Sequence, residues 1–207
     1  MSAAGNWVAR LNAFARRVGA PDRCDLCGIA LSPGHAHLVE PASHRLLCAC
    51  MGCALLFEPG AGTRFRRVPR YAMLLGDLAL SDEDWRALGV PVDIAFFFES
   101  SVDRRPVGLY PGAAGVVQAS IDDEAWARLK QASPLLAALS PDVEALLVNR
   151  MNGARECYRM PIDRCYALAG LIRRHWRGLS GGSEVWQVIQ RYFQQLRREL
   201  SPQVAHG

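Results

Sequence analysis

Two Cys-x2-Cys pairs constrain this chain more than any other feature. Cys24-Asp25-Leu26-Cys27-Gly28 holds the first and Cys50-Met51-Gly52-Cys53 the second, with 22 residues (28–49) between them. The spacing lets both thiolates of a pair reach one ion. A glycine after the first pair permits the turn that aims backbone N–H groups at sulfur. The interval is close to the roughly 15–20 residues that separate the knuckles of a zinc ribbon. Of seven cysteines, five lie between Cys24 and Cys53. Clustered thiols in a reducing compartment signal metal more than disulfide. Four thiolates suit a closed tetrahedral Zn(II) site, so Cys24, Cys27, Cys50 and Cys53 are the expected ligands.

Cys48 is a fifth thiol in the same stretch, and an alternative set is Cys24, Cys27, Cys48 and Cys53. If a strand ran on through this segment, Cys48 and Cys50 would share a face. The pair Cys50/Cys53 mirrors the first knuckle, which favours Cys50. Cys48 then reads as a buried neighbour or a redox-sensitive spare. His35, His37 and His44 lie nearby, and one of them could replace a thiolate to give a site of three cysteines and one histidine. With five cysteines at hand, they read instead as surface or core histidines. Iron is the alternative metal, as a rubredoxin-type centre or an iron–sulfur cluster. Rubredoxin-type knuckles are richer in Gly, Pro and Tyr than the second pair is here.

Around this module the pattern is α+β. Trp7, Leu11, Phe14 and Val18 mark an amphipathic helix within residues 1–19. The zinc-ribbon-like four-cysteine module occupies 20–60, and Glu58-Pro59-Gly60-Ala61-Gly62 reads as a linker. An α+β domain follows over 63–200, with a mixed β-sheet packed by C-terminal helices. Residues 64–80 read as a strand and then a short helix. Ser81 caps a short helix carrying acids in its first turn. Ile94-Ala-Phe-Phe-Phe-Glu99 is a central strand. Pro106 to Tyr110 and Val116 to Ile121 are shorter strands divided at Pro111-Gly112. Asp122 opens a helix, and Ser133-Pro134 and Ser140-Pro141 read as further helix starts. Asn152-Gly153 predicts a hairpin between strands near 145–150 and 156–160. Helices are expected over 162–177 and 184–200.

Several function classes find no support. Half of the residues are hydrophobic, which argues against a disordered chain. No apolar run approaches the roughly 18 residues of a membrane span. The net charge is +4, but acids are interleaved with the arginines, so no basic stripe points to nucleic acid. The densest basic patch, Arg64, Arg66, Arg67 and Arg70, reads as a solvated edge. The first twenty residues lack a secretory pattern, so a cytoplasmic location is expected. P-loop, dinucleotide, H-E-x-x-H and nucleophile-elbow motifs are absent. Cys157 and Cys165 flank a strand-to-helix junction and read as core. Asp163 reads as a first-turn helix acid.

Cys24–Gly28, Leu46–Phe57, Glu156–Asp163 and Gly170–Gly178 together resemble an uncharacterised bacterial family associated with [NiFe]-hydrogenase gene clusters. The resemblance covers residues from about 20 to 198 and implies a role near hydrogenase assembly or hydrogenase-linked electron flow. The expectation is a non-enzymatic accessory protein with structural Zn(II) and a protein partner, such as a hydrogenase component. The alternative is a rubredoxin-like or iron–sulfur redox protein.

Overall fold

The computed structural model describes residues 22–57, 64–112, 115–178 and 181–201. The expected helix within 1–19 and the linker 58–62 lie outside them. Two sheets and six α-helices are present among the described residues. The smaller sheet holds β1 (Ala36–Glu40), β2 (Arg45–Ala49) and β3 (Arg66–Arg67), in the order β2-β1-β3. A short helix, α1 (Met51–Leu55), follows β2. The larger sheet has the order β4-β9-β8-β5-β6-β7. Its strands are β4 (Met73–Leu74), β5 (Ile94–Ser100), β6 (Arg105–Gly112), β7 (Gly115–Ala119), β8 (Glu144–Asn149) and β9 (Glu156–Pro161). The remaining helices are α2 (Asp82–Ala87), α3 (Asp123–Ala132), α4 (Pro134–Ala137), α5 (Ile162–His175) and α6 (Gly182–Leu200). The architecture is α+β, as the sequence pattern predicts.

The larger sheet is antiparallel throughout, rather than mixed. Three of its pairings, β5–β6, β6–β7 and β8–β9, join consecutive strands, and a short turn can only reverse direction. β5 lies between β8 and β6, the central place its sequence predicts. Ile94, Phe96 and Phe98 pack toward α5 and α6. Ala95 and Phe97 pack toward Trp85 of α2, Trp126 and Leu129 of α3, and Leu136 of α4. Helices therefore cover both faces of the sheet, which is why β5 reads as an unbroken apolar run and not an alternating one.

Local signals set most boundaries. Ser81 and Asp84 form a reciprocal capping box at α2. Asp122 caps α3, and Ser133 with Pro134 at the first position starts α4. Asn152 and Gly153 take φ of 53° and 76° in the turn joining β8 to β9. The expected helix start at Ser140-Pro141 does not form. Its residues make a turn in which Asp142 has φ of 68°, and Ser140 N–H is claimed by the Glu144 carboxylate at 2.8 Å. Residues 64–80 hold two short strands, β3 and β4, and no helix, because each finds an open sheet edge. Pro111 and Gly112 belong to β6, which runs on beyond the end of its pairing with β5 and so tolerates a residue without an N–H.

The small sheet is shared between two cores. Leu38 and Leu47 face a minor core with Ala36, Ala49 and Ala54, flanked by Phe57 and Phe65. Val39 and Leu46, on the other face, join Val68 in the main core beneath α5 and α6.

Candidate metal centre

The first knuckle is a tight ribbon. Gly28 N–H donates to the Cys24 carbonyl and Cys24 N–H to the Ile29 carbonyl, each at 2.8 Å, and Arg23 bridges Ala30. Gly28 sits at φ of +77°, a conformation that costs a side-chain-bearing residue roughly 1–2 kcal/mol. Asp25, inside this knuckle, grips β2. Its N–H donates to the Cys48 carbonyl at 2.8 Å, and its carboxylate accepts from Cys48 N–H at 2.7 Å. The free edge of β2 is thereby paired, and the first knuckle is carried to the second.

The second knuckle forms where β2 ends. Cys50 leaves the strand to become the N-cap of α1, and its sulfur accepts from Cys53 N–H at 3.4 Å. Ala54 of α1 is fully buried in the minor core, which fixes the helix turn that carries Cys53. The sulfurs of Cys24, Cys27, Cys50 and Cys53 lie within 4.8 Å of one another. Cys27 Sγ and Cys50 Sγ are 3.8 Å apart. Thiolates bound tetrahedrally at about 2.3 Å stand roughly 3.8 Å apart, so this group could hold a metal ion.

The electrostatics of the four thiols are uneven. Burial works against ionisation of Cys24, but backbone N–H groups of Cys50, Cys27 and Leu26 outweigh it and bring its pKa down to about 6. Cys53 is pushed up to about 12, chiefly by Cys50 and Cys27 beside it. The knuckle backbone is thus built around a thiolate, and mutual repulsion opposes ionising all four without a cation.

Cys48 stands apart from this group. It lies directly across from His37 in the β1–β2 register and clusters with His35 and His37. The strand does not continue to Cys50, so Cys48 and Cys50 diverge. His37 Nδ1 is 2.6 Å from Asp163 Oδ2, in the first turn of α5. Burial lowers the His37 pKa, but Asp163 and a hydrogen bond to Cys48 override it and raise it to about 9. His44 lies against the Phe98 ring, with burial holding its pKa down.

Sequence reasoning read Asp163 only as a helix acid and missed its contact with His37, because 126 positions separate them. The alternation that places His37 on the main-core face of β1 was the available signal. Cys157 and Cys165 are both buried, one in each of the two cores flanking the large sheet, so they form no pair. Arg64 pairs with Glu40 at 2.7 Å and Arg66 with Asp142 at 3.2 Å, which divides the basic patch among carboxylates. No helix among the described residues is long and apolar enough to cross a membrane.

These features define a class: a small α+β protein with a two-knuckle cysteine cluster able to hold a metal ion, docked on an antiparallel sheet covered by helices. Residues 23–200 match a family of unknown function, DUF5947, and the chain belongs to that family. No curated protein and no solved structure matches it.

Proposed function

We propose that Cys24, Cys27, Cys50 and Cys53 hold a structural Zn(II), and that the protein is a non-enzymatic accessory factor that binds a protein partner in a reducing compartment. The convergence of four sulfurs on one point carries this reading. It supplies a complete tetrahedral shell from the protein and leaves no position open for substrate. Zinc is favoured over iron by the composition of the second knuckle. The partner-binding reading rests on the rim of the knuckles, where Leu26, Ile29, Met51, Leu55 and Leu56 are exposed side by side in sequence with the ligands. A hydrogenase component is the partner that the sequence resemblance suggests.

Elemental analysis of protein purified without air tests the metal. The expected result is colourless protein containing zinc, with the zinc of this centre lost in the Cys24→Ser/Cys27→Ser variant. Visible absorption from bound iron would establish the redox alternative. Metal at this centre that survives loss of both cysteines would sink the proposal.

A further inference from the structure

A second group of metal-ligand side chains lies on the main-core face of the small sheet. His37 and Cys48 are direct partners across β1 and β2, so their side chains leave the same face. That face also carries Val39 and Leu46 into the main core. His35 joins them, its ring edge-on to His37 with centroids 4.9 Å apart. One ligand atom from each of His35, His37 and Cys48 lies within 4.8 Å of the others.

The ring nitrogens are sorted as a metal site requires. His35 Nδ1 is 3.1 Å from the Ser32 carbonyl oxygen. His37 Nδ1 is 2.6 Å from the Asp163 carboxylate. Both partners only accept, so each Nδ1 carries a hydrogen. The hydrogen bond between His37 and Cys48 falls to the other His37 ring nitrogen, where an ion would take the place of the shared proton. His35 Nε2 is buried and has no hydrogen-bond partner. A buried, unpaired nitrogen is destabilising unless something occupies the space it faces. Cys48 is 3% exposed, and both of its backbone groups are pinned by Asp25, so its position is fixed.

We infer that His35, His37 and Cys48 form a second metal site, for a borderline divalent ion such as Zn(II). Two imidazoles and a thiolate are the ligand types that such ions select. Asp163 and the Ser32 carbonyl are positioning groups: each fixes one ring and its tautomer through Nδ1. Three protein ligands leave a fourth position for water or an exogenous ligand, unlike the four-cysteine centre. An alternative arrangement of the same residues would make Cys48 a nucleophile, His37 its base and Asp163 the orienting acid. That arrangement gives His35 no role, whereas the metal site uses all three side chains. It shares no ligand with the four-cysteine centre and does not depend on that reading.

Titration of the metal-free, full-length chain with Co(II) tests it. The expected stoichiometry is two ions per chain in the wild type. The His35→Gln/Cys48→Ser variant should bind one and keep the four-thiolate charge-transfer spectrum. Asp163→Asn should weaken the second ion about 10–100-fold and leave the first unchanged. A wild type that saturates at one ion with a purely thiolate spectrum overturns the inference and leaves the four-cysteine reading intact. A single ion that survives Cys24→Ser/Cys27→Ser, but not His35→Gln/Cys48→Ser, does the reverse. Zinc X-ray absorption of the wild type needs no variant. Imidazole scattering around zinc is expected, and a shell of sulfur alone contradicts the second site.

Discussion

Glu144 begins β8 with a side chain only 1% exposed, a place where a carboxylate survives only with a matched partner. Arg159, across the β8–β9 pairing, donates to it through Nε at 2.7 Å and Nη2 at 2.5 Å, and Ser140 N–H adds a third contact at 2.8 Å. Burial acts to raise the Glu144 pKa, but these donors win and hold it below the ordinary carboxylate value. The sign of the linkage follows. A depressed folded-state pKa gives stability that is complete above about pH 4.5 and is lost as pH falls through the folded value. Glu144→Gln leaves the guanidinium buried without its counter-charge, and should cost about 3 kcal/mol at pH 7. Urea denaturation of both proteins from pH 7 down to pH 3 checks this. The gap between them should close in the acid range, and a gap that stays constant with pH would show that charge is not what Glu144 contributes.

At the scale of elements, β5 is the most informative segment. Successive phenylalanines face different helical layers. Phe96 meets the Tyr166 ring of α5 at 5.5 Å, and Phe97 meets Trp85 of α2 and Trp126 of α3 at 6.1 and 5.9 Å. In a sheet with one solvated face, one of two neighbouring residues could be truncated at little cost. Here Phe96→Ala and Phe97→Ala should each cost about 3–5 kcal/mol, read as matching losses in chemical-denaturation midpoint. If either variant stays within about 1 kcal/mol of the parent, the helical layer on that side is not packed as described. Signals of this kind were legible in sequence because they are local or periodic. The apolar run of β5, the Ser81 capping box, the Ser133-Pro134 start and the Asn152-Gly153 turn need only a few neighbours. Ser140-Pro141 carried the same local signal as Ser133-Pro134 and gave a turn instead. Its outcome was decided by Asp142, which sits at φ of 68° with its N–H donated to the Glu99 carbonyl at 2.9 Å, a left-handed conformation that a helix start cannot contain.

For the whole molecule, the decisive arrangement is a small sheet shared between two cores. Its cysteine side was legible, because Cys-x2-Cys spacing encodes convergence within a few residues. The contact of His37 with Asp163 was not, since it exists only once β1 packs on the start of α5. That shared sheet predicts how metal removal will propagate. The minor core beneath the knuckles is made of Leu38, Leu47 and three alanines, too little apolar surface to hold two knuckles by itself. The large sheet has full layers on both faces and needs no ion. On the proposed reading, metal binding to the folded module would supply much of its folding free energy, while the domain beyond draws on its own core. Stripping metal with a chelator should raise amide exchange through Cys24–Gly28, β2 and α1 by at least about tenfold. β5 and β8 should keep their protection, because local opening free energies follow local burial. Val39 and Leu46 sit in the main core, so exchange in β1 should rise less than in α1. Hydrogen-exchange mass spectrometry with and without chelator distinguishes the outcomes. A uniform rise that includes β8 would mean that the small sheet transmits the loss to the whole fold, and that the ion stabilises one cooperative unit.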